Sequence, residues 1–420
     1  MDRRDPSDVS EAFGGTCQLS RQLRVVMLSW EFPPRTVGGI AAHLFNLSRE
    51  LVKLGVDTHI VTCDFPGAPE REVVNGAHVL RVDSYKTPSP DFATWDSLMN
   101  VNMQKETAGL ISSLGRQFDI IHAHDWLVAN AALGLKDVFR IPLAATIHST
   151  EIGRRNGLHS DYERMIHQTE NWLAHESWRV VCCSQYMSEQ VRWAYGLPQD
   201  RVTVIPNGVD ASVYEKKFDR AEFRKRFALP EEKIVLFVGR LVYEKGVQTL
   251  ISAIPKILSR VNAKFIIVGD GGMRDSLIRQ VANMRLAHKT VFTGFLDEES
   301  LRKLYQIADV CVVPSLYEPF GITALEAMAA KTPLVASNTG GLSEIVEHDK
   351  TGTKVFAGNA DSVAWGITRV LLDPGYASWI KLNAYQKTLE VYDWAKIAKQ
   401  TKEFYEQMLK EYDSGSWKPT

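Results

Sequence analysis

Short apolar runs alternate with amphipathic helical patterns along most of the chain. Continuous apolar runs are typical of strands that are covered on both faces, and the helical patterns between them supply the crossovers of a parallel sheet. The pattern therefore predicts an α/β protein built from doubly wound, Rossmann-like parallel sheets. The predicted strands occupy residues 23–28, 58–62, 78–82, 118–123, 143–148, 179–184, 202–206, 234–239, 264–269, 290–294, 310–314 and 333–337.

The number of strands predicts two domains. About a dozen strands are more than one doubly wound sheet usually contains. A chain of 420 residues is also longer than a domain with a single hydrophobic core usually is. The segment IPNGVDASVYEKKF at 205–218 contains Pro206 and Gly208 and has no apolar period, so we interpret it as the linker. Two such domains with a short joint predict a cleft, with ligands at the carboxyl ends of both sheets.

The predicted boundaries follow from this linker and from a last amphipathic pattern at 394–412. We expect a mobile N-terminal tail, because polar chain ends rarely pack against the rest of a domain. The predicted units are a tail at 1–20, a first domain at 21–206, a second domain at 207–390 and a C-terminal segment at 391–420 that carries the last helix.

Composition narrows the class of protein. Lys and Arg number 49 and Asp and Glu number 50, so no global field favours nucleic acid or a membrane surface as partner. The chain has no apolar span of 18 residues, and its first residues are polar rather than signal-like. Five cysteines show no zinc-type spacing, which favours a reducing compartment. We therefore expect a cytoplasmic protein without nucleic acid partners and without stable membrane insertion.

A glycine loop follows the first predicted strand, in SWEFPPRTVGGIAAHLFNLSREL. Gly38 and Gly39 stand between this strand and a helical pattern, so backbone amides and the positive end of a helix dipole would be available to a phosphate or another anion. The alternative is a tight strand-to-helix turn without a ligand. The loop is not the dinucleotide fingerprint, because G-x-G-x-x-G does not occur in the chain.

The second domain begins with a similar arrangement, IVLFVGRLVYEKGVQTL. Arg240 and Lys245 lie between Gly239 and Gly246, just beyond the carboxyl end of a predicted strand. Two cations in such a loop suit a diphosphate. The alternative is a surface pairing of these cations with Glu244.

Two glutamates flank a Pro-Phe-Gly break in SLYEPFGITALEAMAA at 315–330. Glu318 precedes an alanine-rich helical pattern and Glu326 lies within it, while the amides of Gly321, Ile322 and Thr323 would open toward the cleft. The two carboxylates could bracket one polar ligand whose phosphate sits at the helix start. The alternatives are a solvated helix face for Glu326, or an acid/base pair of a glycoside hydrolase.

Histidines end two strands of the first domain. DIIHAHDW places His122, His124 and Asp125 at one strand end, and a His-x-His pair can bind metal, although the sequence offers no companion ligands. His148 ends the next strand, where a satisfied structural histidine is the alternative to a functional one. It opens the polar loop HSTEIGRRNG with Glu151 and Arg154, which would line the cleft from the first domain.

With these motifs in order, the chain resembles the retaining glycosyltransferases of family 4, and within them the glycogen/starch synthase-type α-glucan glucosyltransferases. The resemblance implies the GT-B fold, with the C-terminal helix crossing back to the first domain. It also implies transfer of a hexosyl, in first place glucosyl, unit from ADP- or UDP-glucose to a sugar or α-glucan acceptor. It covers about 24–412 through the early Gly-Gly loop, HAHDW, TIHSTEIG, IPNGVD, FVGRLVYEKG, VGDG, TGFL, SLYEPFGITALEAM and NTGGLSEIV.

The resemblance also implies roles for individual residues. Arg240 and Lys245 would hold the donor diphosphate, Glu318 would bind hydroxyls of the transferred sugar, and His148 would lie beside the reacting carbon; these four would be catalytic. Glu326 would take the ribose diol. The remaining donor contacts would be Gly38, Gly39, Phe320, Gly321, Ile322 and Thr323, with a base pocket around Gly294, Phe295, Leu296 and Leu316, and the acceptor side would include Asp125, Glu151 and Arg154.

Members of this family retain the anomeric configuration by front-face attack, and neither a metal nor another cofactor is expected. In agreement, no two aspartates stand two positions apart, as the metal-bridged transferases of the other fold require. Cations and helix dipoles would stabilise the leaving group instead. Domain closure would exclude water.

Other functions stay open at this point. A family 4 enzyme could use a different acceptor, such as a trehalose-type or sucrose-type sugar, a lipid or another small molecule. A nucleotide-sugar 2-epimerase shares the architecture, although it gives no reason for the long loop at 148–160. A glycoside hydrolase needs no diphosphate cations, and a non-catalytic binder would be expected to lose His148 or Glu318.

Overall fold

The protein forms two sheets, each made from one half of the chain. The computed structural model describes residues 22–84, 88–114 and 117–415, so the tail predicted at 1–20 lies outside the described residues. In the first sheet the strands are β1 (Arg24–Leu28), β2 (Asp57–Cys63), β3 (Arg71–Val74), β4 (Ala77–Val82), β5 (Ile120–His124), β6 (Leu143–Ile147), β7 (Arg179–Cys182) and β8 (Val202–Val204). In the second they are β9 (Lys233–Val238), β10 (Ala263–Val268), β11 (Thr290–Gly294), β12 (Val310–Val313), β13 (Leu334–Ser337) and β14 (Thr353–Val355).

Helices connect these strands and cover both sheets. In the first half they are α1 (Gly39–Lys53), α2 (Phe92–Ser113), α3 (Ala129–Phe139), α4 (Glu151–Arg154), α5 (Asp161–Glu176) and α6 (Gln185–Tyr195). They continue with α7 (Arg220–Lys225), α8 (Val247–Leu258), α9 (Arg274–Asn283), α10 (Glu298–Ile307), α11 (Ile322–Ala329), α12 (Leu342–Ile345), α13 (Ala360–Leu372), α14 (Pro374–Val391) and α15 (Trp394–Ser414). Among the described residues, none of these helices is both long and apolar enough to cross a bilayer.

The strand order confirms the predicted fold of two Rossmann-like parallel sheets. The first sheet runs β3-β4-β2-β1-β5-β6-β7-β8 and the second runs β11-β10-β9-β12-β13-β14. Neighbouring strands pair in parallel, except that β3 pairs antiparallel with β4. The order reverses between β1 and β5 in the first sheet and between β9 and β12 in the second. Ligands of such sheets bind at the carboxyl ends of the strands at these switch points.

Every predicted strand is present, and two further strands escaped prediction. The edge strand β3 has the sequence REVV, and its residues alternate between exposed and half-buried, so it lacks the continuous apolar run of a central strand. Strand β14 is three residues long, TKV, with a lysine at its centre. Both lie at sheet edges, where a strand is covered less and its apolar signal is weak.

The last helix returns to the first half of the molecule, as predicted. Helix α15 buries Trp394, Ile397 and Tyr405 in one apolar cluster with Val25 of β1 and Leu44 of α1. The hydroxyl of Tyr405 lies 2.6 Å from Nδ1 of His122 on β5. The C-terminal segment therefore ties the second half of the chain to the first sheet, while the exact domain boundaries stay predictions.

We expect Tyr405→Phe to lower the free energy of unfolding by about 1–3 kcal/mol, because it leaves the buried Nδ1 of His122 without its partner. Urea titration measures the change. Tyr412→Phe on the same helix is the matched control, since its hydroxyl donates to the carbonyl of Arg140 at an exposed position. Equal, small effects of the two substitutions would contradict a structural role for this contact.

Candidate active site

The helix starts of the two halves face each other across the cleft. Gly39 begins α1 after strand β1, and Ile322 begins α11 after strand β12. A Cβ atom added to Gly39 would lie 2.7 Å from Cδ1 of Ile322, so the two helix starts approach each other closely here. Both helix starts present backbone amides and the positive end of a dipole. An anionic ligand bound beside this contact would meet the amides of both helix starts.

The first glycine loop already contains an anion, the carboxylate of Glu31. Its Oε2 accepts hydrogen bonds from the amides of Val37 at 2.5 Å and Gly38 at 2.9 Å. Burial raises the pKa of Glu31, and the amides of Gly38 and Val37 partly oppose that rise. Gly38 thus supports the loop internally, and Gly39 is the glycine that borders the cleft. Glu31 was not predicted to belong to the site, although it directly precedes the loop in the sequence.

Lys245 and Glu318 form a close ion pair in the second half. The Nζ atom of Lys245 lies 2.9 Å from Oε1 and 2.8 Å from Oε2 of Glu318, and the Ser315 hydroxyl donates to Oε2 at 3.0 Å. Gly246 allows this geometry, because it has a φ of +70° and a side chain there would collide with the carbonyl of Pro314. The pair therefore joins the loop after β9 to the loop after β12.

Arg240 has a different environment from Lys245. Its side chain is half exposed and lies 3.5 Å from Oε1 of Glu244. The surface alternative thus describes Arg240 in this arrangement, but not Lys245, which pairs with Glu318. A long half-exposed guanidinium at the carboxyl end of β9 is able to reach a ligand in the cleft.

Glu326 is a half-buried residue of α11 rather than part of a solvated face. Its Oε2 accepts a hydrogen bond of 2.8 Å from the hydroxyl of the buried Tyr305. Burial raises the pKa of Glu326 to about 6, against the lowering effect of that bond. Gly321 caps the helix with a φ of 117°, so the Pro-Phe-Gly break starts α11 as predicted, between the two glutamates.

The predicted base pocket lies along the same edge of the second sheet. Gly294 ends β11, and Phe295 after it exposes 78% of its side chain. Leu296 and Leu316 are half-buried, and the amide of Leu316 donates to the carbonyl of Glu244 at 2.8 Å. These residues follow strand ends at the carboxyl edge of the second sheet, and their role in binding a base stays a prediction.

Four histidines meet beneath the cleft in the first half. His124 Nδ1 lies 3.3 Å from His148 Nε2, and the ring of His43 lies 5.0 Å from that of His148 and 5.4 Å from that of His124. His122 bonds Tyr405 and, at 2.7 Å, Thr146. The expectation that His124 lacks companion ligands was wrong, because His43 and His148 lie beside it. His43 was not predicted to join them, because it lies within the apolar pattern of α1.

Burial keeps these rings neutral. Removal from water lowers the pKa of His43 to about 3 and that of His148 to about 4. The rings of His122 and His124 have lowered pKa values for the same reason. His148 is half-buried, whereas the other three histidines are buried. It is therefore suited to contact a ligand, whereas His122 is satisfied within the fold.

The acceptor-side residues form a buried polar network. Asp125 accepts a hydrogen bond of 2.8 Å from the amide of His148, and burial raises the pKa of Asp125 to about 6 against the opposing charge of Arg154. Arg154 Nη2 lies 2.7 Å from Oε2 of Glu151 and 3.1 Å from Oε1 of Glu170. Asp125 thus positions the His148 loop, while Glu151 and Arg154 bind each other. Their contact with an acceptor stays a prediction.

The loop that carries Glu318 is also held by the first half. The hydroxyl of Ser184 donates to the carbonyl of Pro319 at 2.6 Å, and the hydroxyl of Tyr317 lies 2.7 Å from Oε1 of Gln190. The carboxylate of Glu344 accepts from the amide of Tyr186 at 2.7 Å. Sequence patterns did not reveal these contacts, because they join residues more than a hundred positions apart. They fix Glu318 relative to both sheets.

The chain is similar in sequence to known glycosyltransferases. Residues 37–213 match the family model Glycosyltransferase Family 4, and residues 219–387 match Glycosyl transferases group 1. An uncharacterized glycosyltransferase of Methanocaldococcus jannaschii is 42% identical over 388 residues, covering 91% of this chain and 98% of that protein. The glycogen synthase of Mycobacterium tuberculosis is 36% identical over 399 residues, covering 91% of this chain and 94% of that protein.

Solved structures show the same fold. Sucrose-phosphate synthase from Thermosynechococcus elongatus superimposes with a TM-score of 0.81 at 25% sequence identity. The superposition covers 93% of this chain and 100% of that chain. The two facing sheets are thus a GT-B architecture.

Proposed function

The chain belongs to glycosyltransferase family 4, and on this premise we propose that it transfers a hexosyl unit from a nucleotide-diphosphate sugar to a sugar acceptor. We propose ADP- or UDP-glucose as donor, an α-glucan or oligosaccharide as acceptor, and retention of the anomeric configuration without a metal or other cofactor. The observation that carries the proposal is the pair of Lys245 and Glu318 beside the start of α11, opposite the start of α1.

The donor diphosphate would replace Glu318 as the partner of Lys245. Arg240 would reach the same phosphates, and the amides of Ile322 and Thr323 would meet the distal phosphate at the start of α11. Released from Lys245, the carboxylate of Glu318 would accept hydrogen bonds from sugar hydroxyls. Glu326, about a turn further along α11, would bind the ribose diol. The two glutamates would thus hold the two ends of one ligand.

In the transfer step, the bond between the anomeric carbon and the diphosphate oxygen breaks while the acceptor oxygen bonds to the same carbon from the same face. The acceptor proton moves to the departing diphosphate. Lys245 and Arg240 would stabilise the charge that develops on the leaving group. The half-buried ring of His148 would border the reacting carbon, oriented by the bond from its amide to Asp125.

The acceptor has two candidate classes. The 36% sequence identity to a glycogen synthase supports an α-glucan acceptor. The likeness to a sucrose-phosphate synthase supports a small sugar acceptor as the second candidate. Both classes would enter from the first half, past the loop that begins at His148.

A donor panel tests the proposal. The purified protein is incubated with ADP-, UDP- or GDP-glucose and with maltooligosaccharides or small sugars, and release of the nucleoside diphosphate is measured. We expect acceptor-dependent release with one preferred donor. Release of the diphosphate at equal rates without any acceptor, or no release with any pair, would argue against a transferase of this donor class.

Metal independence has its own test. We expect a chelator to leave the transfer rate unchanged, because cations of the chain and the start of α11 would neutralise the leaving group. The initial rate is compared with and without the chelator after the protein has been dialysed against it. A strict requirement for a divalent ion would contradict this mechanism.

We expect Gly39→Ala to raise the KM for the donor by up to about tenfold, because the added Cβ would push the end of the Ile322 side chain aside where the donor would bind. Gly38→Ala is the matched control, since its Cβ would lie at an ordinary 3.6 Å from Glu31. Adding Ile322→Val removes the clashing atom and is expected to restore the KM. Equal KM values for the two alanine variants would show that the facing helix starts do not bracket the donor.

A further inference from the structure

Three histidines of the first half bring ring nitrogen atoms close to one another. One ring nitrogen from each of His43, His124 and His148 lies within 4.8 Å of the others. His43 and His124 are buried, with 6% and 0% exposure. Within the described part of the chain, neither Nε2 of His43 nor Nε2 of His124 has a hydrogen-bond partner. Buried polar atoms without a partner are costly. An ion at this point would give Nε2 of His43 a partner, whereas His124 would bind it through Nδ1, the atom that faces His148.

The rings are arranged as metal ligands are. The Nδ1 atom of His43 lies 2.6 Å from Oδ1 of Asn207, which fixes the ring and leaves Nε2 with a free lone pair. A hydrogen bond on the far nitrogen is the usual support of a metal-bound histidine. His124 Nδ1 and His148 Nε2 lie 3.3 Å apart. That separation suits two nitrogens on one tetrahedral ion, about 3.4 Å for bonds of about 2.1 Å.

We propose that His43, His124 and His148 bind a borderline transition-metal ion of the Zn²⁺ class. Neutral imidazole is the form that binds such an ion, and three imidazoles without a carboxylate favour it over Mg²⁺ or Ca²⁺. The half-buried His148 gives the ion a way in from the cleft. Three protein ligands leave the fourth position open to water or a ligand in the cleft.

The ion would inhibit rather than support the proposed transfer. This consequence rests on the proposed function, which places the ring of His148 beside the sugar. A ring that is bound to an ion cannot contact the sugar, so occupancy of the site and transfer would exclude each other. The site would thus make the enzyme sensitive to free zinc while leaving transfer independent of any metal.

A second group in the structure provides the control. One ligand atom from each of Asp57, His59 and His78 also lies within 4.8 Å of the others. Here Asp57 is already paired with Arg24 at 2.5 Å and with His59 at 3.0 Å. An ion would have to displace Arg24 from this group, so we expect no tight binding there.

Cobalt absorption and zinc titration of the full chain test the site directly. We expect one equivalent of Co²⁺ to give the intense visible bands of a tetrahedral site, and Zn²⁺ to displace it. His43→Gln removes a ligand and is expected to abolish the bands, whereas the matched His78→Gln is expected to keep them. Loss of the bands in His78→Gln with retention in His43→Gln would overturn the proposal, as would the absence of tetrahedral bands in the wild type.

A substitution outside the three ligands tests the site even if His43→Gln does not fold. Asn207→Leu removes only the support of His43 and is expected to weaken cobalt binding by about 10- to 100-fold, while Asn207→Asp is expected to restore it. Circular dichroism checks the fold of each variant. Equal affinities of Asn207→Leu and the wild type would overturn the assignment of His43.

Activity gives a separate readout. We expect Zn²⁺ to inhibit transfer by the wild type, a chelator to reverse the inhibition, and Asn207→Leu to need more zinc for the same effect. If no transfer is found with any donor, the proposed function fails while the cobalt spectra still decide the metal site. If transfer is found and zinc at full occupancy leaves it unchanged, the inhibitory role is overturned.

Discussion

Lys245→Ala is expected to lower kcat for sugar transfer by about 100- to 1,000-fold, the effect of removing one group that stabilises a developing anion. The ammonium lies at the carboxyl end of β9, within 2.9 Å of both oxygens of Glu318. In the proposed complex it neutralises the departing diphosphate. Steady-state rates with the preferred donor measure the loss.

The control for this variant is Lys256→Ala. Lys256 also forms an ion pair, with Asp361, but on an exposed part of α8. We expect it to keep the wild-type rate, and thermal melting to show both variants folded. Near-normal transfer by Lys245→Ala would contradict the assignment of the site.

Glu318→Gln is expected to lower kcat to a similar extent, because the neutral amide accepts weaker hydrogen bonds from the sugar hydroxyls than a carboxylate does. The shape of the side chain is preserved. Since Glu318 is 8% exposed and paired with Lys245, the substitution also leaves that cation without its partner. The loss of rate alone therefore does not distinguish binding of the sugar from support of the ion pair.

The double variant Lys245→Met with Glu318→Gln makes this distinction. Removing both partners of a buried ion pair is often neutral for stability, whereas removing one is destabilising. We expect Lys245→Met and Glu318→Gln each to lower the thermal stability, and the double variant to regain it while staying inactive. Recovery of transfer together with stability would show that the pair is structural only.

Much of the fold could be predicted from the sequence because central parallel strands are long apolar runs. Strands β9, β10 and β12 are nearly fully buried along their length, and periodicity alone identifies them. The start of α11 could also be predicted, since Gly321 stands just before an alanine-rich helical pattern. Edge strands and domain boundaries depend on tertiary coverage and carry a weaker local signal.

The partners within the site could not be predicted in the same way. Lys245 and Glu318 are 73 positions apart, and His43 and Asn207 are 164 apart, so only the folded chain joins them. His43 lies within an amphipathic helix, where a single polar residue gives no signal of a binding site. Glu31 was overlooked because an acidic residue beside a glycine loop does not suggest that it will occupy the amides of that loop.

Proton NMR of one reaction tests the central claim most directly, namely that the two facing helix starts hold a nucleotide sugar for transfer. The preferred α-linked glucose donor is incubated with a maltooligosaccharide, and the anomeric signal of the product is followed together with the released nucleoside diphosphate. We predict one new α-linkage for each diphosphate released. A β-linked product, or free or epimerised sugar in place of a glycoside, would contradict the account.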